Sequence, residues 1–451
     1  KKEKPDGAVF SLKYTHSKWL QAGSADLGME LAVKHVKEGE LDMPINLIPE
    51  VVVLDPTHNI EVSRKFAEEN RHRFHSAVVG GLSSGPAMRY STVFQELGIE
   101  SPIIAVPGTA GALSDASKYP NFFRTIQSDG LLARAFAFMV NTFQWKNVCM
   151  MYENGPYPIG QYNDIKVGFD NLGIEITNEE EYRIFPVNFY KDREIFQPEV
   201  LEGFNAMRRS KCRVHYFAAF PLSYKAIAEL KYDLGFWGKE YVIVGTHFMT
   251  MSDYKSKLQQ KKIEAVFEGS IAAMAPFYVG QKGAGIYNQL VQMNNGLQPN
   301  LFATYIYDCF LAYAYAVRYC IDQGLDYENP KDIHKAMYKI SFEGAIGTFK
   351  VIGGETNDRS PVGFNIVNIV GGRQVEIGKY APNDNIVLTF SQDPVFSNGK
   401  SIPPPDIAED DLECPYFEHD KEINYWDRQE LFIMSAYCIV SGCLVCALMF
   451  K

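Results

Sequence analysis

The sequence lacks the motifs on which many nucleotide-binding and metalloenzyme sites are built. The glycine-rich residues 80–85 are not followed by the Lys-Ser/Thr of a P-loop, and no His-Glu-x-x-His pair occurs in the 451 residues. His72 and His75 have helix-like spacing for a metal ion, but the flanking arginines disfavour a cation and favour a solvated helix end. We therefore expect no enzyme, no metal ion and no cofactor.

Positive charge is scarce as well. Lys and Arg together number 44 against 54 Asp and Glu, which gives a net charge of -10, and no basic stripe interleaved with aromatic residues is present. This composition argues against nucleic acid as a partner. With 46% hydrophobic and 22% charged residues, the chain is typical of a globular protein that is long enough for two or three domains.

Cysteine is sparse outside the C-terminal end of the chain, and no Asn-x-Ser/Thr glycosylation site occurs anywhere. Cys149 and Cys212 begin two neighbouring predicted strands, where they either form a disulfide or stay buried thiols, since free cysteine packs as a small hydrophobe. Cys309 and Cys320 lie eleven residues apart on a predicted helix, about 16 Å from each other, which is too far for a bridge. Cys414 is left as a candidate for an intermolecular bond.

The twenty residues before Lys451 carry no charge. As a helix, residues 431–450 would span roughly 30 Å, the thickness of the hydrocarbon core of a bilayer, so we predict a transmembrane helix there. Tyr425 and Trp426 precede it as interfacial aromatics, and the acidic residues 409–413 lie on the side opposite Lys451, which predicts that the first 430 residues lie outside the cytoplasm. No signal peptide is visible, so we expect a mature chain, and the stop directly after the span suggests that a longer protein continues.

Strand and helix patterns alternate through the first 380 residues, which favours parallel sheets covered by helices. The predicted strands of a first sheet are residues 8–12, 51–54, 77–79 and 102–106, and those of a second sheet are 147–152, 214–220 and 241–245. The loops 80–85 and 107–111 follow two strands of the first sheet and are rich in small residues. Because the carboxyl ends of parallel strands expose unpaired N–H groups, these loops predict a cradle for a small anionic group.

The later part of the chain adds a helix, a hairpin and a tail. The apolar predicted helix at residues 301–321 carries Tyr305, Tyr307, Tyr313, Tyr315 and Tyr319, and aromatics at this spacing favour packing against the first sheet. Gly371 and Gly372 predict a hairpin turn, because both tolerate positive φ. Beyond Pro382, the prolines and the acidic run predict an extended stalk.

The most specific string of the sequence is residues 113–129. It reads LSD and, after two further residues, KYPNFFRTIQSD. This string resembles one found in the type I periplasmic binding fold of bacterial amino-acid binding proteins, natriuretic-peptide receptor ectodomains and class C G-protein-coupled receptors. Similar segments follow at residues 267–269, 342–349 and 371–378, so the resemblance covers about residues 7–405.

The resemblance implies an α/β chain with two doubly wound parallel sheets and three crossovers, near Ile126, Ala275 and Gly347. Lobe 1 would comprise residues 7–126 and 276–345, lobe 2 residues 127–275 and 346–390, the juxtamembrane stalk residues 391–430 and the transmembrane helix residues 431–450. In such proteins a ligand binds between the lobes and closes them by a hinge motion.

The resemblance also implies which residues hold the ligand. The matched positions are Ser83 and Ser84 in a serine loop that holds an amino-acid carboxylate, Gly108 and Thr109 in the second loop, Tyr157 as the aromatic residue that caps the ligand, and Phe220 and His247 at loop ends of lobe 2. The sequence departs from the family pattern at Pro107 and Gly111, and His247 stands where an acidic partner for an ammonium group is common. The first-lobe disulfide of many animal members is missing, since no cysteine precedes Cys149.

The function implied is the extracellular or luminal ligand-sensing domain of a cell-membrane receptor. It would bind a small amino-acid or carboxylate-like molecule, signal by lobe closure and form a homo- or heterodimer through lobe 1. A stalk that runs directly into the span is similar to the metabotropic GABA receptors. Two other classes stay open, a ligand-free structural or assembly subunit and a membrane-tethered solute-binding protein. An open polar cleft at the predicted residues would favour the sensor, and a cleft filled by side chains would favour the structural subunit.

Overall fold

The structure is a computed structural model that describes residues 8–15, 26–39, 45–52, 59–74, 77–186, 193–246, 254–381 and 387–408. The helices of this part of the chain are α1 (Leu27–Lys37), α2 (Ile60–Glu69), α3 (Ser84–Glu96), α4 (Asp129–Thr142), α5 (Pro156–Asp170), α6 (Arg193–Arg209), α7 (Pro221–Asp233), α8 (Lys257–Phe267), α9 (Gly280–Met293), α10 (Phe302–Gln323) and α11 (Pro330–Met337). Several begin at a side chain that caps the first turn. Asn59 accepts a hydrogen bond from Glu61 N, and Ser128 accepts one from Leu131 N.

The first sheet is parallel throughout and is covered on both faces. Its described strands are β1 (Ala8–Thr15), β2 (Ile45–Val52), β3 (Val78–Leu82), β4 (Ile103–Pro107) and β5 (Phe122–Arg124), in the order β2-β1-β3-β4-β5. Val79 and Ile104 belong to one hydrophobic core, whereas Val78 and Ile103 belong to the core on the opposite face. Because both faces are buried, these strands read as continuous apolar runs, as the sequence predicts.

The second sheet is mixed. Its described strands are β6 (Asn147–Glu153), β7 (Glu175–Ile176), β8 (Ile184–Phe185), β9 (Val214–Ala218), β10 (Val242–Gly245), β11 (Ile271–Met274), β15 (Phe364–Val370), β16 (Arg373–Ala381) and β17 (Val387–Phe390). The order is β17-β16-β15-β11-β10-β9-β6-β7, with β8 also beside β6, and β15 to β17 run antiparallel to their neighbours. Gly371 and Gly372 have positive φ and form the turn between β15 and β16, as predicted.

A small antiparallel sheet and helix α10 complete the first half of the molecule. The sheet consists of β12 (Ser341–Gly344), β13 (Gly347–Gly353) and β14 (Thr356–Arg359). Helix α10 packs against β3, β4 and β12, and it buries Tyr305, Tyr307 and Tyr313 in the core that it shares with the first sheet. The predicted packing role of these tyrosines is confirmed. We call the part built around the first sheet lobe 1 and the part built around the second sheet lobe 2.

The described chain passes between the lobes after β5, after β11 and after β14. The third crossing therefore lies beyond Arg359, whereas the resemblance implied one near Gly347. Strands β13 and β14 stay with lobe 1 because Phe349 and Val351 are buried in its core. The other predicted lobe boundaries stay a prediction.

Two buried charges hold the backbone of lobe 1 beside the crossings. Asp308 in α10 accepts hydrogen bonds from the backbone N–H groups of Ala345, at 2.7 Å, and Ile346, at 3.1 Å. Arg359 donates to the carbonyl oxygens of Thr125, at 2.7 Å, and Ile346, at 2.8 Å. Arg359, the last residue of β14 before the third crossing, is thus bonded to the backbone at the first crossing.

The start of the predicted stalk is packed rather than extended. Trp145 Nε1 donates to Pro404 O at 2.9 Å, and a carboxylate oxygen of Asp406 accepts from Lys146 N and Asn147 N. Phe396 is buried in the core of lobe 2. Residues up to 408 are therefore part of lobe 2, because their aromatic and backbone groups complete its core.

No helix in the described ranges is both long and apolar enough to cross a bilayer. The predicted span at residues 431–450 and the rest of the predicted stalk lie outside the described residues. The transmembrane helix therefore stays a prediction.

Candidate functional site

The two predicted loops of lobe 1 lie side by side and bind each other. Strands β3 and β4 are paired so that Leu82 lies opposite Pro107, and each loop begins at that level. Ser84 Oγ, which is fully buried, accepts a hydrogen bond of 3.1 Å from Ala110 N. Ser83 is the residue before α3, and its side chain makes no capping hydrogen bond. Of the two serines, Ser84 organises the loops, whereas Ser83 Oγ makes no capping hydrogen bond.

A buried arginine holds the second loop in place. Arg124, in β5, donates from Nη1 to Gly108 O at 3.0 Å and to Ala110 O at 3.1 Å. Its Nε donates to Asp358 Oδ1 at 2.7 Å. The loop that carries Thr109 is therefore fixed by a charge-assisted network inside lobe 1.

Lobe 2 contributes an aromatic pair. Tyr157, near the start of α5, is buried, and its ring lies 5.5 Å from the ring of Phe220, measured between centroids. Glu153, at the end of β6, accepts from Phe220 N at 2.9 Å and from Ser223 Oγ at 3.0 Å, which fixes the loop between β9 and α7. His247 lies outside the described residues, so its predicted place beside the cleft stays a prediction.

The lobes meet in a closed seam. Gly111 N of lobe 1 donates to Asp164 Oδ2 of lobe 2 at 3.2 Å. Gly160 of α5 faces Ala110, and a Cβ atom added at Gly160 would lie 3.3 Å from Ala110 Cβ. This approach is possible because small residues line both sides of the contact.

The seam is polar but closed. Ser84, Thr109 and Tyr157 are respectively 0%, 2% and 4% exposed, so the predicted residues lie beneath the contact between the lobes rather than in an open cleft. Closure of this kind is expected of the ligand-bound arrangement of two hinged lobes and also of a structural subunit without a ligand.

Asp129 lies at the centre of the seam, although its role was not predicted from the sequence. It is the first residue of α4, it is 1% exposed, and its N–H donates to Thr109 O at 2.7 Å. Gln161 Nε2 donates to Asp129 Oδ1 at 3.5 Å, and the Tyr216 hydroxyl donates to Gln161 Oε1 at 2.5 Å. Asp129 therefore connects the second loop of lobe 1 to α5 and β9 of lobe 2.

The electrostatic environment of Asp129 disfavours its charged form. The pKa of Asp129 is raised to about 7, first by burial and then by the carboxylate of Asp164, while Thr109, Arg124 and Gln161 act in the opposite direction. Burial also raises the pKa of Asp164. Neither Asp129 Oδ2 nor Thr109 Oγ1 makes a hydrogen bond of good geometry with a described residue. A buried carboxylate in such surroundings is suited to accept a proton or a cationic group.

Residues 81–85 also have the Gly-x-Ser-x-Gly spacing of a nucleophile elbow, between strand β3 and helix α3. A serine nucleophile needs a histidine within hydrogen-bonding distance. The buried or half-buried histidines of the described chain bond elsewhere: His35 to Tyr307 and Gln289, His215 to Lys231, and His334 to Pro120 O. The described residues also contain no group of three or more His, Cys, Asp or Glu that could hold a metal ion.

One groove of the described structure lies away from the seam. It has a volume of about 480 Å³ and is lined by residues of α8 and by Gly371 and Gly372. Glu268, which follows α8, accepts hydrogen bonds from Gly371 N and so holds the two sides of the groove together. The groove shares no residue with the seam, so it is not the predicted ligand site.

Comparison with known proteins assigns the family. Residues 25–372 match the family model described as "Receptor family ligand binding region". The chain belongs to this family. The resemblance inferred from residues 113–129 is therefore confirmed, and the α/β architecture with parallel sheets is consistent with the periplasmic-binding-like domain that it implied.

Plant glutamate receptors are among the relatives of this receptor-family chain. Glutamate receptor 2.9 of Arabidopsis thaliana is 23% identical over 360 residues, which is 73% of this chain and 35% of that protein. Glutamate receptor 3.2 of the same plant is 25% identical over 249 residues, 54% of this chain and 26% of the relative. Glutamate receptor 2.7 is 22% identical over 328 residues, 67% and 33% of the two chains. The chain thus spans about a third or less of the length of these relatives.

Asp129 and Asp164 were not predicted as site residues, and they differ in whether the sequence contains a pattern that could have indicated them. Asp129 is the last residue of the string that indicated the family, but an aspartate at a helix start is more often a favourable first-turn residue than a site. Asp164 lies in the middle of α5 and stands out only because Gly111 meets it from the other lobe. For Asp164 no pattern in the sequence could have replaced the tertiary contact.

Proposed function

We propose that this receptor-family region is the extracellular or luminal part of a membrane receptor, that it binds an amino acid or a similar small carboxylate in the seam between its lobes, and that closure of the lobes is the signal. The observation that carries the proposal is the buried Asp129 carboxylate, which lies beside the loop of Thr109. An amino acid has an ammonium group that could pair with the Asp129 carboxylate and a carboxylate that could bind at the loop of Thr109. The names of the relatives, glutamate receptors, support this class of ligand.

The ligand would lie with its carboxylate at the lobe 1 loops and its ammonium group at Asp129. Ser83 Oγ, which makes no capping bond, would donate to the carboxylate. The ammonium group would neutralise a carboxylate whose pKa is otherwise raised to about 7, so ligand binding would restore the charged form of Asp129. Tyr157 and Phe220 would cover the side chain of the ligand from lobe 2.

Closure would be read out through the contact between Gly111 and Asp164. That hydrogen bond exists only when the second loop of lobe 1 reaches α5 of lobe 2. A ligand that binds both lobes stabilises the closed state by its differential affinity, which is the requirement for a conformational signal. We further propose that the chain dimerises through lobe 1 and is held at the membrane by residues 431–450.

The test is a calorimetric screen of the natural amino acids and small dicarboxylates, followed by Ser83→Ala. We expect Ser83→Ala to weaken binding of the best ligand by about 1 to 3 kcal/mol, the cost of losing one charge-assisted hydrogen bond. Ser341→Ala, on the exposed side of β12, is the matched control and should leave the affinity unchanged. An unchanged affinity in Ser83→Ala would remove Ser83 from the site.

The alternative is a structural subunit that keeps the fold without a ligand. The burial of Ser84, Thr109 and Tyr157 in the closed seam favours it. This alternative would be supported if no compound in the calorimetric screen binds and small-angle scattering shows the same compact shape in every condition. A membrane-tethered solute-binding protein would bind the same ligand, but it would co-purify with a transporter rather than signal by closure.

A further inference from the structure

Lys231, in the last turn of α7, is buried in lobe 2 beside a buried histidine. Lys231 is 1% exposed, and His215, in β9, is 0% exposed. Lys231 Nζ lies 2.7 Å from His215 Nδ1, and the other ring nitrogen of His215, Nε2, lies 3.0 Å from Cys212 O. A lysine is rarely buried to this extent unless a carboxylate accompanies it.

The partners of His215 assign the hydrogens of the pair. Because a carbonyl oxygen only accepts, Nε2 carries the ring hydrogen and donates to Cys212 O. Nδ1 then has a lone pair, and it accepts from Lys231 Nζ. An imidazolium has no lone pair to offer an ammonium group, so this contact cannot survive with both side chains charged.

Within the described chain, no carboxylate faces the amine of Lys231 from the elements packed around it. The ionisable side chains that do are His215 of β9, Cys212 before β9, Cys149 of β6, Tyr241 before β10 and, beyond the ring of Phe236, Arg208 of α6. Helix α8 presents Lys262, which pairs with Asp233 at the end of α7. Cys149 and Cys212 are free thiols in the structure.

Two aromatic rings are the other close neighbours of the amine. Lys231 Nζ lies 4.9 Å from the centroid of the Tyr241 ring and 5.6 Å from that of Phe236. A ring face attracts a cation, but it replaces only a small part of the hydration that a buried ammonium group loses. The surroundings of Lys231 therefore suit a neutral amine better than an ammonium group.

Burial disfavours the charged form of both side chains. It lowers the pKa of Lys231 well below its usual value, while Cys212 and Cys149 act in the opposite direction. Burial, and then the charge of Lys231, lowers the pKa of His215 well below its usual value, against the effect of the hydrogen bond to Cys212 O. In the unfolded chain water solvates both groups, so the unfolded state binds more protons than the folded state.

We propose that Lys231 and His215 form a proton-sensitive switch in lobe 2, in which a neutral amine on a neutral imidazole holds the end of α7 against the second sheet, and proton uptake expels the ammonium group from the core. The route to water is short, because α7 ends at Asp233. In the turn that follows, Gly235 and Gly238 have positive φ and Trp237 is 37% exposed. Opening of this turn would bring the ammonium group into solvent without unfolding lobe 1.

The sign of the effect follows from proton linkage. Between the lowered pKa of Lys231 in the folded chain and its solvated value of about 10.4, the unfolded chain binds the extra proton. Stability therefore rises with pH in this range and is lost as pH falls. One fully coupled proton changes the unfolding equilibrium constant about tenfold per pH unit. Below about pH 6.5 the unfolded chain also protonates His215, so the dependence becomes steeper.

The test is urea unfolding of the full chain from about pH 6 to pH 9, followed by circular dichroism. Lys231→Met keeps the length of the side chain and removes the amine. We expect the unfolding constant of the parent, divided by that of Lys231→Met, to fall as pH rises, by up to tenfold per pH unit. Lys262→Met is the matched control, since it removes a lysine of the neighbouring helix that has a carboxylate partner, and its profile should stay parallel to that of the parent.

Hydrogen exchange locates the opening and needs no variant. Corrected for the intrinsic effect of pH, peptides from α7 and residues 234–241 of the parent should exchange at least tenfold faster at pH 6 than at pH 8, and peptides from α10 should not. Parallel unfolding profiles of the parent and Lys231→Met would overturn the proposal, as would equal corrected exchange at the two pH values. Neither measurement depends on ligand binding in the seam.

Discussion

Asp308 and Asp129 are both buried carboxylates near the contact between the lobes, but their hydrogen-bond partners and neighbouring charges differ. Asp308 accepts two backbone hydrogen bonds, from Ala345 and Ile346, and burial raises its pKa to about 6 while Arg359 acts in the opposite direction. Asp129 accepts one long side-chain bond, from Gln161, and burial together with a second carboxylate raises its pKa to about 7.

The comparison shows that burial of a charge does not by itself mark a functional site. The partners of Asp308 belong to lobe 1, as Asp308 does, so they stay in place when the lobes move. Asp129 belongs to lobe 2 but is covered by the loop of Thr109 from lobe 1. Of the two carboxylates, only Asp129 is covered by the other lobe, so only its burial depends on closure.

The largest expected effect separates the two carboxylates by stability. Asp308→Ala should lower the free energy of unfolding by about 3 kcal/mol, because it leaves two buried backbone N–H groups without an acceptor. Asp322→Ala, on the exposed side of the same helix, removes only a surface ion pair with Arg318 and should cost less than about 1 kcal/mol. Urea unfolding followed by circular dichroism measures both. Equal losses in the two variants would contradict a structural role for Asp308.

The second largest expected effect distinguishes Asp129 from Asp308 by ligand affinity. Asp129→Asn should weaken the best ligand of the screen about a hundredfold, because an amide cannot neutralise an ammonium group. The same variant should fold as well as the parent, since it removes a carboxylate whose charged form is disfavoured by burial. Titration calorimetry and a thermal melt of the same sample check both statements. A loss of stability without a loss of affinity would make Asp129 structural, like Asp308.

A third experiment tests whether closure covers Asp129. Gly111→Ala would place a Cβ atom 2.4 Å from Asp164 Oδ2, so the Asp164 carboxylate must move and the hydrogen bond that joins the lobes at this point is disrupted. We expect a larger radius of gyration in small-angle scattering and an affinity about tenfold weaker, because part of the binding free energy is spent on closing the seam. Gly285→Ala is the matched control, since nothing lies within 4 Å of a Cβ atom added there. The same radius of gyration in both variants would contradict the closed seam.

The smallest expected effect is a pH dependence of closure. Closing the seam raises the pKa of Asp129 from its solvated value to about 7, so the closed state binds more protons and is favoured at low pH. Between about pH 4 and pH 7 the closed fraction of the ligand-free protein should fall as pH rises, by less than the tenfold per pH unit of one fully coupled proton. Scattering across this range measures it, and Asp129→Asn should flatten the profile. An unchanged profile in that variant would assign the dependence to Asp164 or another group.

Much of the fold could be predicted from the sequence because its signals are local. The strands of the first sheet are apolar runs with turn residues after them, and Gly371 with Gly372 is a short-range hairpin signal. The string at residues 113–129 indicated the family. The third crossing could not be placed in this way, because the burial of Phe349 and Val351 in lobe 1 is a long-range packing event.

On the lobe 1 side the loops of the candidate site could be predicted, and the resemblance named Tyr157 and Phe220 on the lobe 2 side, but Asp164 could not be predicted. The loops of Ser84 and Thr109 follow strand ends, where parallel sheets bind ligands, so their position follows from chain order. Their partners in lobe 2 come from distant parts of the chain. Gly111 and Asp164 are 53 residues apart, and no local pattern connects them.

By itself, the sequence determined the α/β class, the two sets of parallel strands, the receptor family and the loops that form one side of the candidate site. Those features depend on periodicity, turn residues and a family-specific string, all of which are local. Only the tertiary structure decided that the seam is closed and that Asp129 and Asp164 lie within it. Each of these depends on the distance between residues far apart in the chain, and burial sets the chemistry of the carboxylates only after the two lobes have come together.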